Sequence, residues 1–217
     1  MSVAFTQLYA AYLHQRRREV PVVQTQAEAL LTLATTHGFA HYVGYGTFWR
    51  GWALARQGQQ AAGLAQMSQG LDDLVATGSL VARPLCLSQL AEATGHAGDV
   101  DAGLRLLAEA MEACTTGERG DGLAEARRLK GELLLQGNGI VQAAEAAACF
   151  EQALSIARRQ QAKSWELRAA MSLSRLWQQQ GKRADAYALL EPVYAWFTEG
   201  FDTADLQEAR ALLEVLA

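Results

Sequence analysis

Apolar residues recur at three- and four-residue intervals along almost the whole chain, in segments such as FWRGWALARQG, DAGLRLLAEAM, AAACFEQALSIA and SLSRLWQQQG. That spacing lays one apolar stripe along a helix turning every 3.6 residues. Strand-like alternation is nowhere sustained, so the pattern predicts an all-α chain. Four short polar breaks punctuate it, RQGQQ at Gly58, HAGDV at Gly98, QGNGI at Asn138 and QQGKR at Gly181, separated by 40, 40 and 43 residues. An apolar-periodic stretch precedes each break and another follows it. Eleven helices are expected, at 3–18, 21–37, 40–57, 60–77, 80–97, 100–115, 121–136, 140–160, 163–180, 183–198 and 203–216.

The repetition goes deeper than spacing. The stretch from Leu33 to Gly58 aligns without a gap on Ile156 to Gly181 at a constant offset of 123, placing Tyr42 on Trp165, Leu54 on Trp177 and Gly58 on Gly181. A fixed period of a few tens of residues marks stacked helix pairs, each unable to bury its apolar face alone. The pairs are expected at 3–37, 40–77, 80–115, 121–160 and 163–198, with a capping helix at 203–216. Pro21 and Pro84 fit the first turn of a helix, where the missing N–H has no partner anyway. Pro192 falls inside an expected helix and should bend or split it. Thr116 to Gly122 is a short candidate link, too short to separate domains, so a single domain over 1–217 is expected.

Composition narrows the function classes. The 217 residues are half apolar, with a net charge of −4; such a chain can bury a core and is not a disordered tail. The acidic balance argues against a dedicated nucleic-acid binder. No apolar run reaches the roughly 18 residues that span a bilayer, and the basic cluster of MSVAFTQLYAAYLHQRRRE follows its apolar stretch, the reverse of a secretory signal. Cys86, Cys114 and Cys149 are sparse, odd in number and without a CxxC, and read as buried thiols of a reducing cytosol. A cytoplasmic location follows as an expectation.

Catalytic signatures are missing. Gly181-Lys182 is followed by Arg183 and lacks the upstream glycine of a phosphate-binding loop; GxGxxG, HExxH and GxSxG are absent as well. His37 and His41 stand four apart, but Gly38 lies between them and no carboxylate completes a metal set, which needs three or four convergent ligands. Asp99 and Asp101 suit a helix start rather than an acid–base pair, and Asp72-Asp73 lies at a helix end. Arg16-Arg17-Arg18 and Arg158-Arg159 suit helix C-termini, where the macrodipole favours cations; the first run is also a candidate patch for an acidic partner. No enzyme, metal or cofactor is expected.

Helix pairs with small residues at fixed points resemble the tetratricopeptide repeat (TPR). Counted from the turn glycines, Gly51, Ala91, Gly131 and Ser174 fill the first small site, Gly63, Gly103, Ala146 and Ala186 the second, and Gly70, Ala110, Ala153 and Val193 the third. Val193 departs from the pattern beside Pro192, the third repeat implies a longer turn around Asn138, and the period near 40 implies helices longer than standard. The strings RLKGELLLQGN, ACFEQALSIARRQQAKSWELRAAMSLSRLWQQQGKRADAYALLEPVY and WFTEGFDTADLQEARALL look like the C-terminal repeats of large bacterial signalling ATPases of the STAND (AAA-like) type, some headed by a nucleotide cyclase. That resemblance implies an α-α superhelix, a TPR-like solenoid, and a tail of a larger polypeptide or a free-standing relative.

The resemblance also implies a concave face lined by the first helix of each pair. The family's groove positions fall on Tyr45, Phe48 and Trp52, then Ser88, Glu92 and His96, then Glu125, Arg128 and Glu132, and last Arg168, Arg175 and Gln179. Aromatic and Arg side chains dominate interface hot spots, so a protein or peptide is the expected partner, with neither nucleic acid nor membrane. Two other readings of the same residues stand beside it: Phe48 and Trp52 have the spacing to pack between helices, and the charged groove residues could pair with one another. Charge comes in blocks, +3 over 1–59, −5 over 60–120, +4 over 121–183 and −6 over 184–217, which steers partners more than it fixes a fold. A rival reading is self-association, a homodimer through the N-terminal helices with Leu8, Tyr9, Tyr12 and Leu13 at the edge.

Overall fold

Each break in the apolar period becomes a turn, and each periodic stretch a helix. A computed structural model describes residues 2–79, 81–116 and 122–217, apart from the side chains of 115–116 and 138–140. Its helices are α1 (Ser2–Arg16), α2 (Val20–His37), α3 (Ala40–Arg56), α4 (Gln60–Ala76), α5 (Arg83–His96), α6 (Val100–Thr116), α7 (Leu123–Arg159), α8 (Lys163–Gln179), α9 (Arg183–Tyr194) and α10 (Ala204–Leu216). No strand occurs among the described residues. Pro21 and Pro84 sit in the first turns of α2 and α5, as expected. Asp99 caps α6 by accepting the Ala102 N–H at 2.9 Å, satisfying a donor that the helix start leaves open. Residues 117–121 of the expected link lie outside the described residues.

Helix α7 looks like a departure from the two helices expected at 121–136 and 140–160. Yet Lys130 Nζ lies 2.8 Å from Glu145 Oε1, whereas fifteen residues of straight helix would hold them about 22 Å apart. The chain therefore doubles back between them, where the QGNGI break stands, and the arms 123–137 and 141–159 run antiparallel. Gly131 on the first arm leaves room for the Phe150 ring on the second. Helix α9 runs through Pro192 without splitting there and stops at Tyr194 rather than at 198; the proline costs the preceding turn one hydrogen bond.

Contacts gather the chain into two compact units, Met1–Ala113 and Cys114–Ala217. Their interiors match in register. Helices α3 and α8 begin and end at positions 123 apart, and α4 and α9 begin at the same offset. Val23, Ala27, Leu30 and Ala34 are fully buried on α2, and their counterparts Ala146, Phe150, Ala153 and Ala157 are fully buried on the second arm of α7. Gly63, Met67 and Gly70 likewise correspond to Ala186, Leu190 and Val193, all buried. The turn glycines Gly58 and Gly181 both take positive φ, at 90° and 77°, a conformation that glycine adopts without a Cβ clash. The self-similarity legible over 33–58 thus extends from α2 through α4.

The small residues set how closely partners approach. A Cβ on Gly63 would stand 2.5 Å from the Ala55 nitrogen and 2.7 Å from the Gly51 oxygen, and one on Gly70 would stand 2.5 Å from the Phe48 nitrogen. Helices α3 and α4 therefore meet backbone to backbone. In the second unit the same level holds Ser174 and Ala186, and the Ser174 hydroxyl donates to the Ala186 carbonyl at 3.0 Å. Around these contacts Phe48, Trp49, Leu30 and Met67 fill the first core, and Phe150, Leu129, Leu133, Leu167, Leu173 and Leu190 the second. Each such side chain contributes about 1.5–3 kcal/mol through burial.

Candidate functional site: a charged face on the second unit

The helical period gathers charge on one face of the second unit. On the first arm of α7, Glu125, Arg128 and Glu132 follow one another at three and four residues, so they share a face. Arg168, Ser172, Arg175 and Gln179 do the same on α8, and Asp205 and Glu208 on α10. The Arg128 guanidinium grips Glu125 with two parallel hydrogen bonds, Nε to Oε2 at 2.8 Å and Nη2 to Oε1 at 2.9 Å, and reaches Glu132 at 3.2 Å. Arg168 donates to Asp205 at 2.7 Å and to Glu125 at 3.4 Å. Ser172 donates to Glu132 at 2.5 Å, and Arg175 donates to Glu208 at 3.0 Å. Forked guanidinium–carboxylate bonds fix geometry as well as charge.

Burial divides this network. The Glu125, Arg128 and Arg168 side chains are only 5%, 13% and 12% exposed, while Glu132, Arg175 and Glu208 are 37%, 43% and 42% exposed. Burial works against the charge on Arg168, but Glu125 and Asp205 outweigh it and hold the guanidinium protonated more firmly than usual. Glu125, Arg128 and Arg168 thus form an internal brace, and the outer residues carry the accessible chemistry. Beside them opens a cavity of about 600 Å³, lined by Glu132, Leu135, Gln136, Ala143, Ser172, Arg175, Leu176, Gln179 and Gln180. Its lining combines the aliphatic Leu135, Ala143 and Leu176 with a carboxylate, a guanidinium, a hydroxyl and three carboxamides, a composition that suits a small apolar anchor with polar surroundings.

The residues expected to line a groove therefore fare differently. Glu132, Arg175 and Gln179 meet at the cavity. Glu125, Arg128 and Arg168 are buried outside its lining and pair through Glu125, the alternative that the charge pattern left open. Tyr45, Phe48 and Trp52 are 8%, 0% and 3% exposed; they belong to the core of the first unit, with Ala4 and Ala11 of α1 and Cys86, Leu87 and Leu90 of α5 in the same cluster. Their rings are not available to a partner, because burying large aromatic surface is what fills that core. Ser88 is buried and donates to the Pro84 carbonyl at 2.8 Å. On the same helix Glu92 is half-buried and His96 exposed, in a different unit from the charged face.

Ser172, Leu135, Leu176, Asp205 and Glu208 were not among the expected site residues. Ser172 had a signal, since the 123-residue offset aligns it with Trp49. Asp205 and Glu208 had none, because their helix lies beyond the aligned stretch. Elsewhere His37 stacks on Phe39, and His41 packs edge-on against Tyr42 and Tyr45, where burial depresses the His41 pKa. Burial pushes the Cys86 thiol up. Among the described residues, no three His, Cys, Asp or Glu side chains converge as metal ligands, and no helix is long and apolar enough to cross a membrane.

No family model matches the chain, and no curated protein matches it. Solved structures do. The TPR-like repeats of a protein from Podosopora anserina, assigned as a kinesin light chain with nearly identical repeats, align with a TM-score of 0.58 at 18% identity, covering 88% of this chain and 92% of that one. A single-substitution variant of the same repeats aligns with a TM-score of 0.61 at 18% identity, covering 90% and 95%. At that identity the likeness establishes the fold, that of TPR-like helical repeats.

Proposed function

We propose that this TPR-like chain is a non-catalytic scaffold that binds a protein or peptide segment on the charged face of its second unit. The observation that carries the reading is the open cavity beside Glu132, Arg175 and Gln179, held in place by the buried Glu125–Arg128–Arg168 brace. Half-exposed charges over a rigid support offer directional contacts without large ordering costs. The resemblance of the C-terminal strings to the repeats of bacterial signalling ATPases supports a regulatory or sensor role beside such an ATPase, in the cytoplasm. Selection of a random peptide library on the full chain tests the binding role. Arg175→Glu reverses an accessible charge and should weaken selected peptides about tenfold or more, since paired charges at a binding face govern affinity and specificity. Selected peptides that bind Arg175→Glu and Glu132→Lys as tightly as the parent would remove this face from the account.

One observation favours a second reading, self-association. On α1, Phe5, Tyr9 and Leu13 lie four apart and are 53%, 54% and 57% exposed, while Leu8 and Tyr12 pack inward. The exposed edge is therefore Phe5–Tyr9–Leu13, sharing Tyr9 and Leu13 with the expectation from sequence. Light scattering over a concentration series should show a dimer that Leu13→Glu dissociates; a monomer throughout rejects the reading.

A further inference from the structure

The register shared by the two units shows what the cavity lacks. In the first unit Trp49 is fully buried, edge-on to Phe48 at 5.1 Å and to Tyr12 of α1 at 6.3 Å between ring centroids. Its counterpart 123 residues on is Ser172, whose hydroxyl meets Glu132 of the first arm of α7 instead. Trp52 corresponds to Arg175, and Tyr45 to Arg168. The helix that closes the first unit with a dry cluster of rings thus has a counterpart carrying a serine and two arginines in the second, and that serine is among the residues lining the cavity. The surrounding frame is retained, since the neighbouring core positions on α2 and α4 and their counterparts stay buried.

We infer that the cavity receives an aromatic side chain of the bound segment, seated where Trp49 sits in the first unit. This rests on the peptide-binding reading above and names its anchor. The volume of about 600 Å³ accommodates an indole with adjoining main chain, within the range of sites that bury small ligands. Leu135, Ala143 and Leu176 give the ring an apolar bed, and Glu132 and the carboxamides of Gln136 and Gln179 give an indole N–H or a phenol its partner.

The test uses peptides selected on the full chain from a random library. The expected result is a shared Trp or Tyr, with affinity falling about 30-fold or more when that aromatic is replaced by Ala, as for a hot-spot anchor. Ser172→Trp supplies the missing ring internally and should abolish binding of these peptides. Gln179→Trp covers the cavity from an exposed position and serves where Ser172→Trp does not fold. Peptides without a shared aromatic that still lose affinity to Arg175→Glu would overturn the anchor and leave the binding face standing. Peptides indifferent to Gln179→Trp and to Arg175→Glu would overturn both, as would a library that yields no binder.

Discussion

Replacing Gly63 by Ala sets two well-characterised effects against each other. In an open helix the change is favourable by about 1 kcal/mol, because Ala loses less backbone freedom than Gly. Here the new methyl would lie 2.5 Å from the Ala55 nitrogen, 2.7 Å from its Cβ and 2.7 Å from the Gly51 oxygen. Those atoms belong to α3 backbone or to a side chain with no torsion to turn, so only movement of α4 away from α3 relieves the clash. Restoring ordinary contact takes about 1 Å, enough to loosen Met67 and Leu74 against the aromatic cluster. Overpacking of this kind costs about 1–3 kcal/mol, and more where backbone must shift. The net expectation is a loss of about 1–2 kcal/mol. In a chain of this length that lowers the melting temperature by about 2–8 °C, read from the helical circular dichroism signal. A melting temperature raised by the substitution would show that propensity acts unopposed and would refute close backbone approach as the reason for glycine. Ala186, at the same level in the second unit, already carries the methyl, so Ala186→Gly should destabilise rather than relax.

Three further outcomes follow from particular contacts. Glu125→Gln removes a buried carboxylate shared by Arg128 and Arg168, which keep Glu132 and Asp205 as partners, and should cost about 1.5–3 kcal/mol, the worth of hydrogen bonds to charged groups, measurable by urea denaturation. Burial raises the Glu166 pKa, but hydrogen bonds from Lys163 at 2.8 Å and Arg158 at 2.9 Å outweigh it and leave the carboxyl below its ordinary value. Its folded pKa being depressed, the stability it contributes is present above the unfolded value near 4.5 and disappears as pH falls through the folded pKa; Glu166→Gln should flatten the acid limb of the stability–pH curve. Pro192→Ala restores the N–H that pairs with the Ala188 carbonyl and should stabilise the last turns of α9, seen as added amide protection in hydrogen exchange at residues 192–195.

Much of the fold was legible because it depends on local spacing. Turn glycines, three- and four-residue apolar periods and prolines at helix starts each act within one or two turns of chain, and they placed the helices within a few residues. The doubling back of α7 was legible from QGNGI for the same reason. The site was harder, because projecting a groove onto Tyr45, Phe48 and Trp52 treats equivalent positions of successive repeats as equally exposed. Exposure depends on what lies across from them. In the first unit α1 and α5 supply Ala4, Ala11, Cys86 and Leu90, small or aliphatic residues against which rings pack dry. In the second, Glu125, Glu132, Asp205 and Glu208 occupy the facing helices, and charge takes the place of rings. The 123-residue offset pairs Trp49 with Ser172, but only the folded arrangement shows that the serine borders an open space.

Hydrogen–deuterium exchange on the full chain, with and without a selected peptide, tests the binding face most directly. Binding should slow exchange in 128–136 on the first arm of α7 and in 168–180 on α8, leaving 40–56 on α3 unchanged because its equivalent face is already filled. Slowed exchange confined to 40–56 or to the α5 segment around Glu92 and His96, with 168–180 unaffected, would contradict the assignment.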